Sequence, residues 1–97
     1  MPHPPIHPGY QIAIELDELH LSATQAAKRL GIPRNRLTDI IRGRRGITAD
    51  TAFRLAAWLD TTPEFWMNLQ RDYEINCGER DHGAEIRNQI ASYSVAG

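Results

Sequence analysis

Ninety-seven residues, 41% hydrophobic and 24% charged, fit one globular domain with a small core. No apolar run approaches the roughly 18 residues of a membrane span, and the opening MPHPPIHPGY lacks the basic-then-apolar order of a secretory leader. A single cysteine, Cys77, excludes an internal disulfide framework and fits a reducing, cytoplasmic setting, while the net charge of −1 excludes nothing by itself.

In chain order, residues 1–9 read as an N-terminal arm. Residues 10–20, YQIAIELDELH, place Ile12, Leu16 and Leu19 at i, i+4 and i+7, so a first amphipathic helix is expected with these three facing inward. Ser22 followed three residues later by Gln25 is an N-cap with a capping box, opening a second helix over 23–30 that Gly31 ends in a left-handed cap. Pro33 suits the start of a third helix over 34–42, because its fixed φ matches and its missing N–H is not needed there. Gly43 ends that helix. Thr48 caps a fourth, ADTAFRLAAWLD, with Ala52, Leu55, Ala56 and Leu59 as its apolar stripe. Thr62-Pro63-Glu64 opens a fifth, PEFWMNLQRDYEIN, with Phe65, Trp66, Leu69 and Tyr73 on one side. Gly78 and Gly83 bracket a polar break, and AEIRNQIASY forms a last, weaker helix. The expected fold is all-α: a compact bundle of five helices over 10–77, then a C-terminal extension, 78–97, carrying a short sixth helix.

The second and third helices, joined by a three-residue turn, have the dimensions of a helix-turn-helix over about 22–42. Ala27 is small where two helices must approach, Gly31 permits the positive φ of the turn, and Ala26, Leu30, Ile32, Leu37 and Ile40 supply the inward positions. Charge is concentrated on the same unit. From Lys28 to Arg45 there are seven basic residues against one acid, Asp39, a local net of +6; the remaining chain carries 4 Lys/Arg against 11 Asp/Glu, a net of −7. Such a basic patch on an acidic domain is the electrostatic footprint of a polyanion site. At about 100° per residue, Leu37, Ile40 and Ile41 fall in one buried arc, and Arg34, Asn35, Thr38, Asp39 and Arg42 fill the opposite one. Arginine pairs in a fork with guanine, and asparagine does so with adenine. Arg34, Asn35 and Thr38, near the helix N-terminus, are therefore the expected base readers. Arg36, on the flank, and Arg42, Arg44 and Arg45, at the far end and in the following loop, are expected on phosphates, with Ser22, Thr24 and Gln25 as further backbone clamps. Asp39 either accepts from cytosine or pairs with a neighbouring arginine, and the second is favoured.

One small domain reads few base pairs, so a two-fold dimer on a palindrome is expected, with recognition helices about 34 Å apart. The fifth helix holds more large side chains than one face hides. Phe65 and Leu69 are expected inward, and Trp66, Met67 and Tyr73 are expected at the dimer contact.

The phrases HPG, RGITADTAFRLA and TTPEFWMNLQ, within a stretch from about His7 to Tyr73, closely resemble HigA-type antitoxins of bacterial toxin–antitoxin modules, a branch of the Xre/λ-repressor-like helix-turn-helix family. The resemblance implies a dimer that binds a palindromic operator in double-stranded DNA and represses its own operon. It also implies a partner, a RelE/HigB-like toxin that cleaves mRNA, which the antitoxin neutralises. Two departures concern phosphate contact: Ala23 stands where many relatives carry glutamine, and Pro33 where a serine often caps the recognition helix. The toxin surface is open between the N-terminal arm, the acidic first helix (Glu15, Asp17, Glu18), where a solvated face is favoured, and the C-terminal tail. A stand-alone Xre-family repressor without a toxin is the alternative, and a protein-docking module is a further one. Enzyme chemistry is not expected: none of His3, His7, His20 and His82 is paired at i, i+4 with another ligand type, Cys77 is a plain thiol, and no Gly-rich phosphate loop occurs. No metal or cofactor is expected.

Overall fold

The His7 imidazole accepts the Gly9 N–H, and Pro8 fills the first helical position, so α1 spans Pro8–Leu19 and starts two residues before the expected boundary. The computed structural model describes residues 4–93; His3, the start of the arm and the end of the extension lie outside the described residues. Ile12 and Leu16 of α1 are buried, but Leu19 is 46% exposed. The reason is local. His20 turns left-handed (φ 56°), the Leu21 N–H bonds to the Leu16 carbonyl, and Leu21 rather than Leu19 packs on the core.

The next three helices are α2 (Ala23–Leu30), α3 (Arg34–Ile41) and α4 (Ala49–Leu59). Both capping-box bonds between Ser22 and Gln25 form, at 2.9 and 3.1 Å, and Gly31 turns the chain at φ 71°. Pro33 and Thr48 occupy the cap positions of α3 and α4 without side-chain capping bonds. Ala26, Leu30, Ile32, Leu37 and Ile40 are all buried, which fixes α2 against α3. Ile41 and Leu59 are only half-buried, at the edge of the core. Two features bring α1 onto α3. Gly9 lies against the end of α3 so closely that a Cβ would overlap the Ile40 carbonyl oxygen, and Ile12 is 1% exposed one turn later.

Helix α5 (Pro63–Gly78) opens at Thr62, whose Oγ1 accepts the Phe65 N–H. The expected break between Gly78 and Gly83 is absent. Both glycines keep right-handed helical dihedrals, and the chain passes through one π-helical turn, Glu79–Gly83, into α6 (Ala84–Gln89). The wide turn is bridged by an ion pair between Arg87 and Glu79, and a Cβ at Gly83 would overlap the Glu79 carboxylate. Residues 84–93 are all exposed. A helical arm therefore projects from the five-helix body, giving extents of 59 × 24 × 23 Å and a radius of gyration of 17.1 Å, against about 12.5 Å for a compact chain of this length. Among the described residues no strand occurs, and no helix is long and apolar enough to cross a membrane.

Candidate nucleic-acid interface

The basic surface is built outward from the seat of α3. Leu37 and Ile40 are fully buried between α1 and α2. Their anchoring leaves Arg34 and Asn35 exposed on the first turn and Arg42 exposed at the C-terminal cap. Among the described residues neither Arg34 nor Asn35 uses its side chain in an internal hydrogen bond. Both are free to act on an external partner. The Thr38 hydroxyl donates back to the Asn35 carbonyl at 3.2 Å, so its proton is committed within the helix and its methyl and lone pairs remain. At the start of α2, the capping box uses the Ser22 hydroxyl and the Gln25 side-chain carbonyl as acceptors. What remains outward on both is donor capacity, the kind a phosphate takes. The N–H groups of Ala23 and Thr24 at the first turn add to it.

The loop after α3 is held from beneath. Gly43 reverses the chain at φ 75°, and the Arg44 N–H bonds to the Asp39 carbonyl at 2.8 Å. Gln70, on α5 and only 8% exposed, accepts the buried Ile47 N–H at 2.8 Å. Its amide lies so near Gly46 that a Cβ there would come within 2.8 Å. Arg44 and Arg45 thus stand exposed on a loop whose backbone is fixed.

On the flank, Asp50 at the start of α4 binds Arg36 at 2.9 Å and Arg54 at 3.0 Å. Arg54 also donates to the Leu30 carbonyl at 3.0 Å, tying α4 to the end of α2. Hydrogen bonds from Arg54 and then Arg36 hold the Asp50 carboxyl below the usual carboxylate range. Among the described residues no group of three His, Cys, Asp or Glu side chains is placed to hold a metal ion.

A helix-turn-helix family model matches residues 12–66, more than half of the chain. The chain belongs to the helix-turn-helix family. Its relatives include virulence-associated protein A′ of Dichelobacter nodosus, 44% identical over 77 residues, covering 78% of this chain and 66% of that protein. An addiction-module antidote protein of the HigA family from Coxiella burnetii has the same fold, with a TM-score of 0.90 at 50% identity, covering 94% of this chain and all of that one. The Pseudomonas aeruginosa antitoxin HigA, solved with the higBA promoter, gives a TM-score of 0.88 at 37% identity, covering 93% and 99%. These structural neighbours are HigA-family antitoxins, and the family is one of regulators and antitoxins, not of enzymes.

Within this helix-turn-helix chain three sequence expectations need correction. Trp66 is fully buried, its Nε1 donating to Thr61 Oγ1 at 2.8 Å, so it is a core residue and not a dimer contact. Phe65, expected inward, is instead 41% exposed and meets Trp66 edge-to-face, because α5 turns its Trp66–Gln70 side to the body. Asp39 makes no ion pair among the described residues; the carboxylate that binds arginine is Asp50. Met67 is 37% exposed and Tyr73 half-buried, both reachable from outside. Sequence reasoning also passed over Gln70, although its spacing four residues beyond Trp66 puts it on the same inward face.

Proposed function

We propose that the chain is a DNA-binding antitoxin of the HigA type. As a dimer it binds a palindromic operator in its own promoter through α3, represses its operon, and neutralises a RelE/HigB-like mRNA-cleaving toxin. The observation that carries the DNA half is the seating of α3: apolar side chains fixed inward, Arg34, Asn35 and Arg42 left outside, and Arg44 and Arg45 on a pinned loop. The likeness to an antitoxin HigA solved with its promoter supports the same reading. In it, Arg34, Asn35 and Thr38 read base edges. Ser22, Thr24, Gln25, Arg42, Arg44 and Arg45 hold phosphates, and Arg36 does so on leaving Asp50. Met67 and Tyr73 contribute to the contact between copies. The setting is cytoplasmic.

Fluorescence anisotropy on a duplex from immediately upstream of the gene, against a scrambled duplex, tests this reading. Expected is binding tighter to the upstream duplex by at least about three orders of magnitude. Log affinity falls with log salt at a slope of about −0.9 per phosphate contact. Equal affinity for both duplexes overturns it. The toxin half is tested by co-expression with the product of the neighbouring gene. Formation of a stable complex that restores translation supports the antitoxin, and failure leaves a stand-alone repressor.

A further inference from the structure

The HPG phrase at the start of α1 does more than begin a helix. His7 Nδ1 accepts the Gly9 N–H at 2.9 Å, which requires that nitrogen to be unprotonated. The proton of the neutral ring then sits on Nε2, on the side of the ring turned toward the Arg45 backbone. The ring lies beside Gly43, where a Cβ would sit 3.8 Å from Cγ. The ring also meets Tyr73 of α5 edge-to-face, with centroids 4.8 Å apart. One imidazole therefore touches the start of α1, both ends of the Gly43–Arg45 segment and the middle of α5. An aspartate, asparagine or serine would serve the cap alone. The second nitrogen and the ring faces serve the loop.

We infer that His7 is a positioning residue: as a neutral imidazole it fastens the loop bearing Arg44 and Arg45 to α1 and α5, and so sets the phosphate-contacting end of the surface. This inference rests on the DNA-binding reading above. Protonation puts a hydrogen on Nδ1 facing the Gly9 N–H, two donors opposed, so the ring loses its bond to the start of α1 and the loop loses that anchor. The titratable groups that line the groove beside the ring are Tyr10 of α1 and Asp72 and Tyr73 of α5, and the loop turns the Arg45 backbone toward it. Asp72 is exposed and already bound to Arg71 at 3.0 Å. Burial, partly offset by the Arg45 carbonyl, keeps the ring neutral to below the ordinary histidine value.

The test uses the full chain and His7→Asn, which keeps an acceptor for the Gly9 N–H but is too short to reach Arg45. His7→Ser, a second capping residue, stands in should the first variant fail to fold. Hydrogen exchange on the free protein reads the loop directly: protection factors at Gly43, Arg44 and Ile47 are expected to fall about tenfold in the variant, the loss of roughly one hydrogen bond. On the upstream duplex the variant is expected to bind about tenfold more weakly at pH 7.5, with no pH dependence of its own. The parent loses affinity toward that level as pH falls through the lowered His7 value. Unchanged loop protection, or the same pH profile in both proteins, overturns the inference. Absence of parent binding to the duplex instead overturns the functional reading, and the exchange result still judges the loop.

Discussion

A methyl group at Gly9 would overlap the Ile40 carbonyl oxygen and lie 2.9 Å from the Ile41 Cα, and those are backbone atoms that cannot swing aside. Gly9→Ala is therefore expected to destabilise by about 1–3 kcal/mol, as overpacking does, read as a lower urea midpoint at unchanged m-value. The exposed arginines behave differently because no packing depends on them. Arg34→Ala is expected to relax base preference at one position by about 1–3 kcal/mol. Arg44→Ala is expected to weaken all duplexes alike and to reduce the salt slope by about 1. Measuring both variants on the upstream duplex and on single-base changes of it distinguishes the roles, and identical losses from both would refute the assignment. These exposed residues were legible from sequence because helical spacing alone puts Arg34 and Asn35 opposite Leu37 and Ile40. His7, Gln70 and Asp50 were not, because each acts across 14 or more positions of chain or through backbone atoms, and spacing records neither.

The first four helices announce themselves chiefly through their apolar stripes; the capping box at Ser22 and the left-handed Gly31 form where the residues require them, whereas the His7 cap starts α1 early and Thr48 makes no side-chain capping bond. Helix α5 is harder to read. It packs one side on the body at its start and then leaves it, so large apolar side chains occur on more than one face and no single stripe identifies the inward one. Trp66 and Phe65 were exchanged for that reason. The structure separates them sharply. Trp66→Ala is expected to cost about 3–5 kcal/mol in chemical denaturation. Met67→Asp is expected to leave the unfolding of the monomer within about 0.5 kcal/mol while weakening self-association in sedimentation equilibrium. The break expected after Gly78 does not form, because neither glycine acts as a stop. A glycine ends a helix when φ turns positive, as at Gly31 and Gly43; Gly78 and Gly83 keep φ at −60° and −57°.

Acid acts on the helical body through His7 and Asp50, whose folded pKa values are both depressed, while Glu79 and Asp81, held down by Arg87 and Arg80, belong to the π-helical turn that leads into the arm. The contribution of His7 is fully present above its ordinary 6.5 and is lost as pH falls through its lower folded value. Asp50, below its ordinary 3.8, gives up its contribution only at more acid pH. Unfolding free energy, followed by urea melts at stepped pH, is expected to fall first just below pH 6.5 in the parent but not in His7→Asn. The projecting arm makes little difference to this stability. Removing residues 79–97 is expected to leave the body's unfolding free energy within about 0.5 kcal/mol, because residues 84–93 are all exposed. The seating of α3 has a further consequence. Arg34 and Asn35 brace nothing inside the molecule, so the architecture places no veto on what occupies those two positions. Under the proposed base-reading role, two codon changes there after a gene duplication would send the daughter proteins to separate promoters while both still fold alike.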